Sequence, residues 1–160
     1  MNNISFSQGA IDIISQFEGF VPHPYLDPAT HAEPITIGFG STFYENGTKV
    51  TMKDPSITRE RAGQILLHYL NKVILPDFQS HIKVDLNQNQ LDALACLTYN
   101  IGTGGFNSSH VLSDINQHIM NGDLQTRWLA WDKANSKVNE GLLSRRKKEY
   151  NYFQTGSLKG

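Results

Sequence analysis

The chain has 160 residues, enough for one domain or for two small lobes that share a core. Fourteen Lys plus Arg stand against fifteen Asp plus Glu, a formal charge of −1, which argues against a general nucleic-acid or membrane-surface binder. Hydrophobic residues make up 39%, too many for a disordered chain, and the single cysteine excludes an internal disulfide and a cysteine-based zinc site.

No apolar run approaches the roughly 18 residues of a membrane span. The start, Met1-Asn2-Asn3-Ile4-Ser5, has neither a basic head nor an apolar stretch, so no secretory signal is expected and synthesis in the cytosol is. Ala10, Ile13, Ile14 and Phe17 then recur at helical spacing, with Asp12, Ser15 and Gln16 opposite. This predicts an amphipathic helix capped by Ser5 or Ser7 and stopped at Gly19. Phe20 to about Pro55 changes character: Pro, Gly, Thr and aromatics surround the run Ile35–Gly40, and Asn46-Gly47 sits between Phe43-Tyr44 and Lys49-Val50. Asn-Gly between β-formers is a strong hairpin signal, so a small antiparallel sheet is expected.

The remainder reads as helical. Thr58 can cap a helix with the face Ala62, Ile65, Leu66, Tyr69, Leu70 and Val73, ended by Pro76. Asn87 with Gln90 three positions on makes a capping-box pattern. The segment it opens, Leu91–Tyr99, is apolar nearly all round and stops at Gly102, Gly104 and Gly105. Within it, apolar neighbours make Cys96 a buried small residue rather than a reactive thiol. Further helices are expected over about 108–121, 123–133 and 142–154. The class is α+β.

Glu18 is the first candidate for chemistry. At the C-terminal end of a helix a carboxylate faces the negative end of the macrodipole, which disfavours its ionised form. Partial burial beside Phe17 and Phe20 would act the same way, as a general acid requires. Taken alone, the position reads as a solvated helix-end Glu before it reads as an acid. Asp27, nine residues on in Tyr25-Leu26-Asp27-Pro28, is either a turn opener or the second carboxylate of a glycosidase pair. Thr36 in the next strand could hold a water near Asp27, or be an ordinary strand threonine. The six histidines show no metal spacing. Arg145-Arg146-Lys147-Lys148 reads as a solvated face before it reads as a ligand site. Trp128 and Trp131 read as packing residues.

The order of these residues resembles the phage-type lysozymes, glycoside hydrolase family 24. The likeness runs through Phe17-Glu18-Gly19, Tyr25-x-Asp27 and Thr36-Ile37-Gly38-Phe39-Gly40, then Ile57-Thr58, Leu86–Leu94, Asn100-Ile101-Gly102 and Phe106-x-x-Ser109. It closes with Trp131, Gly141-Leu142-x-x-Arg145-Arg146 and Phe153-x-Thr155-Gly156. The resemblance implies a lysozyme-like α+β fold: a β lobe of about 19–57, a connecting helix of about 58–75, and a helical lobe of about 1–18 and 76–160. An active-site cleft would lie between the lobes.

The resemblance further implies that Glu18 is the general acid and that Asp27 with Thr36 positions the attacking water. Arg145 would pair with Glu18, and Thr42, Tyr99, Ser109 and Gln125 would contact sugar along the cleft. It implies hydrolysis of the β-1,4 bond between N-acetylmuramic acid and N-acetylglucosamine in bacterial peptidoglycan, by a monomer without metal or cofactor. No nucleic-acid partner and no stable membrane association are expected. Such an endolysin would be made in the host bacterial cytoplasm and would reach the wall through a separate holin-type pore. The alternatives are hydrolysis of a related glycan such as chitin, or a wall-binding module without catalysis.

Three departures from the family pattern stand out. The nine-residue spacing from Asp27 to Thr36 is three longer than the common one, which implies a longer turn around Ala29–Pro34. Ser41 stands where a His commonly follows Gly40. The near-neutral charge implies weaker non-specific attraction to an anionic wall.

Overall fold

The computed structural model describes residues 4–28 and 30–159. Met1–Asn3 of the start and Ala29 of the expected longer turn lie outside the described residues. In chain order the elements are α1 (Gln8–Glu18), β1 (Val21–Tyr25), β2 (Thr36–Gly38), α2 (Arg59–Tyr69), a π-helical turn (Leu70–Ile74), α3 (Leu75–His81), α4 (Gln88–Asn107), α5 (His110–Asn116), α6 (Gly122–Leu129), β3 (Lys133–Ala134), β4 (Lys137–Val138) and α7 (Glu140–Thr155). This is the α+β arrangement expected, helices dominating a small β region.

The helix starts follow their caps. Ser7 accepts from the Gly9 amide at 3.0 Å, and Thr58 from the Arg61 amide at 3.1 Å. Asn87 and Gln90 form a reciprocal capping box, both bonds at 2.9 Å. Each such cap contributes about 1 kcal/mol. Gly19 closes α1, its amide donating to the Ser15 carbonyl, and Glu18 is left at the point where the chain turns into β1.

β1 and β2 pair antiparallel, Val21 opposite Gly38 and Tyr25 opposite Thr36, with an irregularity between the two pairs. The Asn46-Gly47 turn forms as expected: the Tyr44 amide donates to the Thr48 carbonyl at 2.9 Å and Phe43 bridges Lys49. Ile37, Phe39 and Val50 bury this region's apolar side.

Pro76 does not end the connecting helix. The chain stays helical to His81, because the turn before the proline opens into π geometry, with the Leu75 amide donating to the Leu70 carbonyl. Pro76 has no amide hydrogen, and in a straight α-helix its ring would press on the carbonyl of Lys72; a widened turn accommodates both. The wide turn also changes the buried face. Leu70 and Ile74 point inward, whereas Tyr69 and Val73, expected on that face, are 40% and 37% exposed.

α4 is buried from Leu91 through Thr98 and packs between α1 and α7. Of the three glycines expected to stop it only Gly102 leaves helical geometry, at φ 85° and ψ 158°. Helical backbone resumes at once and runs to Asn107, since a helical glycine costs only about 1 kcal/mol and buried Phe106 anchors the turn. The helix expected over 123–133 stops at Leu129, and residues 133–138 form a short hairpin. Asn135 and Ser136 take φ of 52° and 65° there, the geometry of a tight hairpin turn. Trp128 is fully buried against Tyr150 and Phe153, as a packing residue should be.

Candidate active site

Glu18 lines an open cleft of about 300 Å³, which Thr42 and Tyr99 also line, together with Gly40, Ser41, Phe43, Tyr69 and Asn100. Its side chain is 22% exposed, and Oε1 accepts a hydrogen bond from Arg145 Nη1 at 3.0 Å. The Arg145 guanidinium also sits 5.0 Å from the centre of the Phe17 ring. The pairing of helix α7 with the end of α1 that the sequence implied is therefore present.

Tyr99 stands over the same carboxylate. Its hydroxyl donates to the Phe39 carbonyl at 2.7 Å. Burial first, then the negative charge of Glu18, pushes its phenol well above the ordinary value. Gly40 completes the wall: a Cβ built there would come 3.1 Å from Glu18 Oε2 and 3.3 Å from the Tyr99 hydroxyl. With φ at 83°, Gly40 also holds a backbone conformation that other residues resist.

Asp27 follows β1 on the turn into β2. Its amide donates to the Ala32 carbonyl at 3.1 Å, and its Oδ1 accepts from the Thr30 amide at 3.3 Å. Thr36 is the cross-strand partner of Tyr25, so the two share one face of the ribbon. Its hydroxyl donates to the Pro34 carbonyl at 3.4 Å. Tyr25 feels the charge of both carboxylates. Burial first, then the charge of Glu18 and then that of Asp27, raises its phenol above the ordinary value, so both acids lie within electrostatic reach of one hydroxyl.

The other expected sugar contacts sit elsewhere. Ser109 caps α5, accepting from the Leu112 amide at 3.1 Å and donating to the Phe106 carbonyl at 2.6 Å. It lines a separate hollow with His110, Arg127 and Trp131. Gln125 is exposed on α6. Neither lines the cavity that holds Glu18.

Sequence reasoning missed four contributors. Phe43, Tyr69 and Asn100 line the cleft, and Glu149 is buried behind it, bonded to Arg145 Nε at 3.0 Å and Arg146 Nη1 at 2.8 Å. The basic run expected to be a solvated face is only half so: Lys147 and Lys148 are exposed, Arg145 and Arg146 are buried. The Arg145-to-Glu149 spacing of four was the available signal, since it puts both on one helix face. Burial disfavours the Arg145 charge, but Cys96, Glu149 and Glu18 more than offset it, and the guanidinium is held above its ordinary value. Burial also pushes the Cys96 thiol well up, as an inert core residue requires.

The phage lysozyme family model matches residues 15–149, a span that contains Glu18, Asp27, Thr36, Arg145 and Glu149. The chain belongs to the phage lysozyme family. Among its relatives, the endolysin of Bacillus phage B103 is 32% identical over 159 residues, covering 98% of this chain. The chain spans 56% of that endolysin's length. The endolysin from Escherichia coli O157:H7 phage FAHEc1 superposes with a TM-score of 0.85 at 29% identity, covering 98% of this chain and 97% of that one. The muramidase domain of SpmX from Asticaccaulis excentricus superposes at 0.80 and 25% identity, covering 96% and 99%. The lysozyme-like fold class is therefore shared along nearly the whole chain.

Proposed function

We propose that this chain is an endolysin that cleaves the β-1,4 bond between N-acetylmuramic acid and N-acetylglucosamine in bacterial peptidoglycan. The observation that carries the reading is a half-buried carboxyl group, Glu18, that lines an open cleft and is held by Arg145. Glu18 gives its proton to the glycosidic oxygen of the leaving sugar as positive charge develops on the ring. Asp27 and Thr36 hold a water on the other face of the sugar, and Asp27 takes its proton as it attacks the anomeric carbon. Arg145 keeps the acid aimed at the leaving oxygen. Thr42 and Tyr99 contact the sugars nearest the acid, and Ser109 and Gln125 are assigned to more distant units. These groups and water are the whole scheme.

The cleft divides a β lobe of about 19–57 from a helical lobe, and a monomer suffices for the reaction. No helix among the described residues is long and apolar enough to cross a membrane. The assigned route to the wall is from the host cytoplasm through a separate holin-type pore. Incubating the purified protein with peptidoglycan and, in parallel, with chitin tests the reading. New reducing ends should appear on peptidoglycan and not on chitin; reducing ends on chitin alone would reassign the substrate, and none on either would leave a binding module.

A further inference from the structure

Glu149 is a fully buried carboxylate that the proposed reaction does not use. A carboxylate taken wholly out of water is costly unless its oxygens are saturated and a cation balances it. Both conditions hold. Oε1 accepts from Trp128 Nε1 at 3.2 Å and Arg146 Nη1 at 2.8 Å, and Oε2 from Arg145 Nε at 3.0 Å and Cys96 Sγ at 3.3 Å. The donors come from α4, α6 and α7, so the carboxylate is held from three helices at once.

Arg145 is in turn committed at every nitrogen. Nε meets Glu149, Nη2 donates to the Cys96 carbonyl at 3.2 Å, and Nη1 is the corner that reaches Glu18. A guanidinium is planar, so fixing two corners leaves one direction for the third. Glu149 is shared by two buried arginines, Arg145 and Arg146, and removing it would leave Glu18, among the described residues, as the one carboxylate bonded to the Arg145 guanidinium.

We infer that Glu149 is a positioning residue of this site, which through the Arg145 guanidinium fixes the direction in which the Glu18 carboxyl faces the cleft. The inference rests on the assignment of Glu18 as the acid. A purely structural Glu149 would serve only to balance Arg146 in the core, and its loss would then act on activity whether or not Arg145 is present.

The test is a double-mutant cycle in kcat and KM on soluble peptidoglycan fragments, with Glu149→Gln made in the wild-type and the Arg145→Met backgrounds. In the wild type, kcat should fall about ten- to a hundredfold, the scale of a misplaced catalytic group, with KM changed less than about twofold. In the Arg145→Met background the same substitution should change kcat less than about twofold, because the guanidinium it acts through is gone. Glu149→Asp keeps the charge and retracts it by one methylene; it should recover part of the lost kcat, and it takes the place of Glu149→Gln in both backgrounds if the latter does not fold. Equal falls in the two backgrounds, or no fall in the wild type, would overturn the inference. Glu18→Gln is measured alongside: if it stays active, the acid assignment and the inference both fail, whereas an inactive Glu18→Gln beside equal falls removes the inference alone.

Discussion

Replacing Gly40 with Ala should damage both stability and activity, for two separable reasons. At φ 83° the backbone lies where a side chain is strained, at a cost of about 1–3 kcal/mol. At roughly 2–4 °C per kcal/mol for a chain of this size, Tm should drop by about 2–12 °C. The second effect is contact. The new Cβ would sit 3.1 Å from Glu18 Oε2 and 3.3 Å from the Tyr99 hydroxyl, a few tenths of an ångström too close. Tyr99 is tied to the Phe39 carbonyl at 2.7 Å and the other Glu18 oxygen to Arg145 at 3.0 Å. Each is held by a bond on its other side, so the Glu18 carboxyl must turn by a few tenths of an ångström; since a 1 Å misplacement costs about 10²-fold in rate, a smaller loss is expected. Clearing of permeabilised Gram-negative cells, read beside thermal unfolding by circular dichroism, separates the two. A folded Gly40→Ala protein that clears cells at the wild-type rate would refute the contact argument, whatever its Tm.

Other consequences follow from the same groups. Arg145→Ala should lose less activity than removal of the Glu18 acid, lower stability by about 3–5 kcal/mol as a buried pair is broken, and alter the pH–rate profile; an active variant with an unchanged profile would show that the pairing has no catalytic part. Asp27 and Thr36 suit water positioning better than covalent attack, so the first product should be the α-anomer of N-acetylmuramic acid, with the carboxyls roughly 6.5–9.5 Å apart as inversion requires. Proton NMR before mutarotation decides this, and early β-anomer would recast Asp27 as a nucleophile. Burial first, and then its 2.7 Å hydrogen bond to Asp54, holds the Tyr44 phenol at about 12 rather than 10.0. The fold favours the neutral phenol, so this stabilisation is whole below the unfolded value and is lost as pH rises through the folded one. Tyr44→Phe should therefore flatten the alkaline decline of the urea midpoint; equal declines in both proteins would count against it.

Local chemistry made much of the fold legible. Ser7, Thr58 and Asn87 are side-chain caps, and Gly47 supplies the positive φ, 84°, that its turn requires, so short stretches of sequence suffice to place them. Pro76 and Gly104 misled because breaker rules describe a straight isolated helix. A π turn, or a buried neighbour such as Phe106, lets the surrounding core override them. The contact between Glu18 and Arg145 was readable through the order of motifs. Glu149 was not, because hydropathy scores a buried, fully paired charge and a solvated one alike, and pairing across α4, α6 and α7 exists only once the helices pack. Tyr69 was read as core because helical periodicity put it on the face of Leu66 and Leu70; the structure turns it into the cleft, edge to face with Tyr99 at 5.6 Å.

The most direct test of the central claim is the identity of the sugar at the new reducing end. Purified peptidoglycan is digested with the wild-type protein and with Glu18→Gln, the ends are reduced with borohydride, and the fragments are read by mass spectrometry. The account predicts N-acetylmuramic acid at every new end with the wild type, and a rate about 10²–10⁴-fold lower with Glu18→Gln, where the amide keeps the shape of the acid but has no suitable proton to give. New ends on N-acetylglucosamine, or a Glu18→Gln protein that cuts at the wild-type rate, would contradict it.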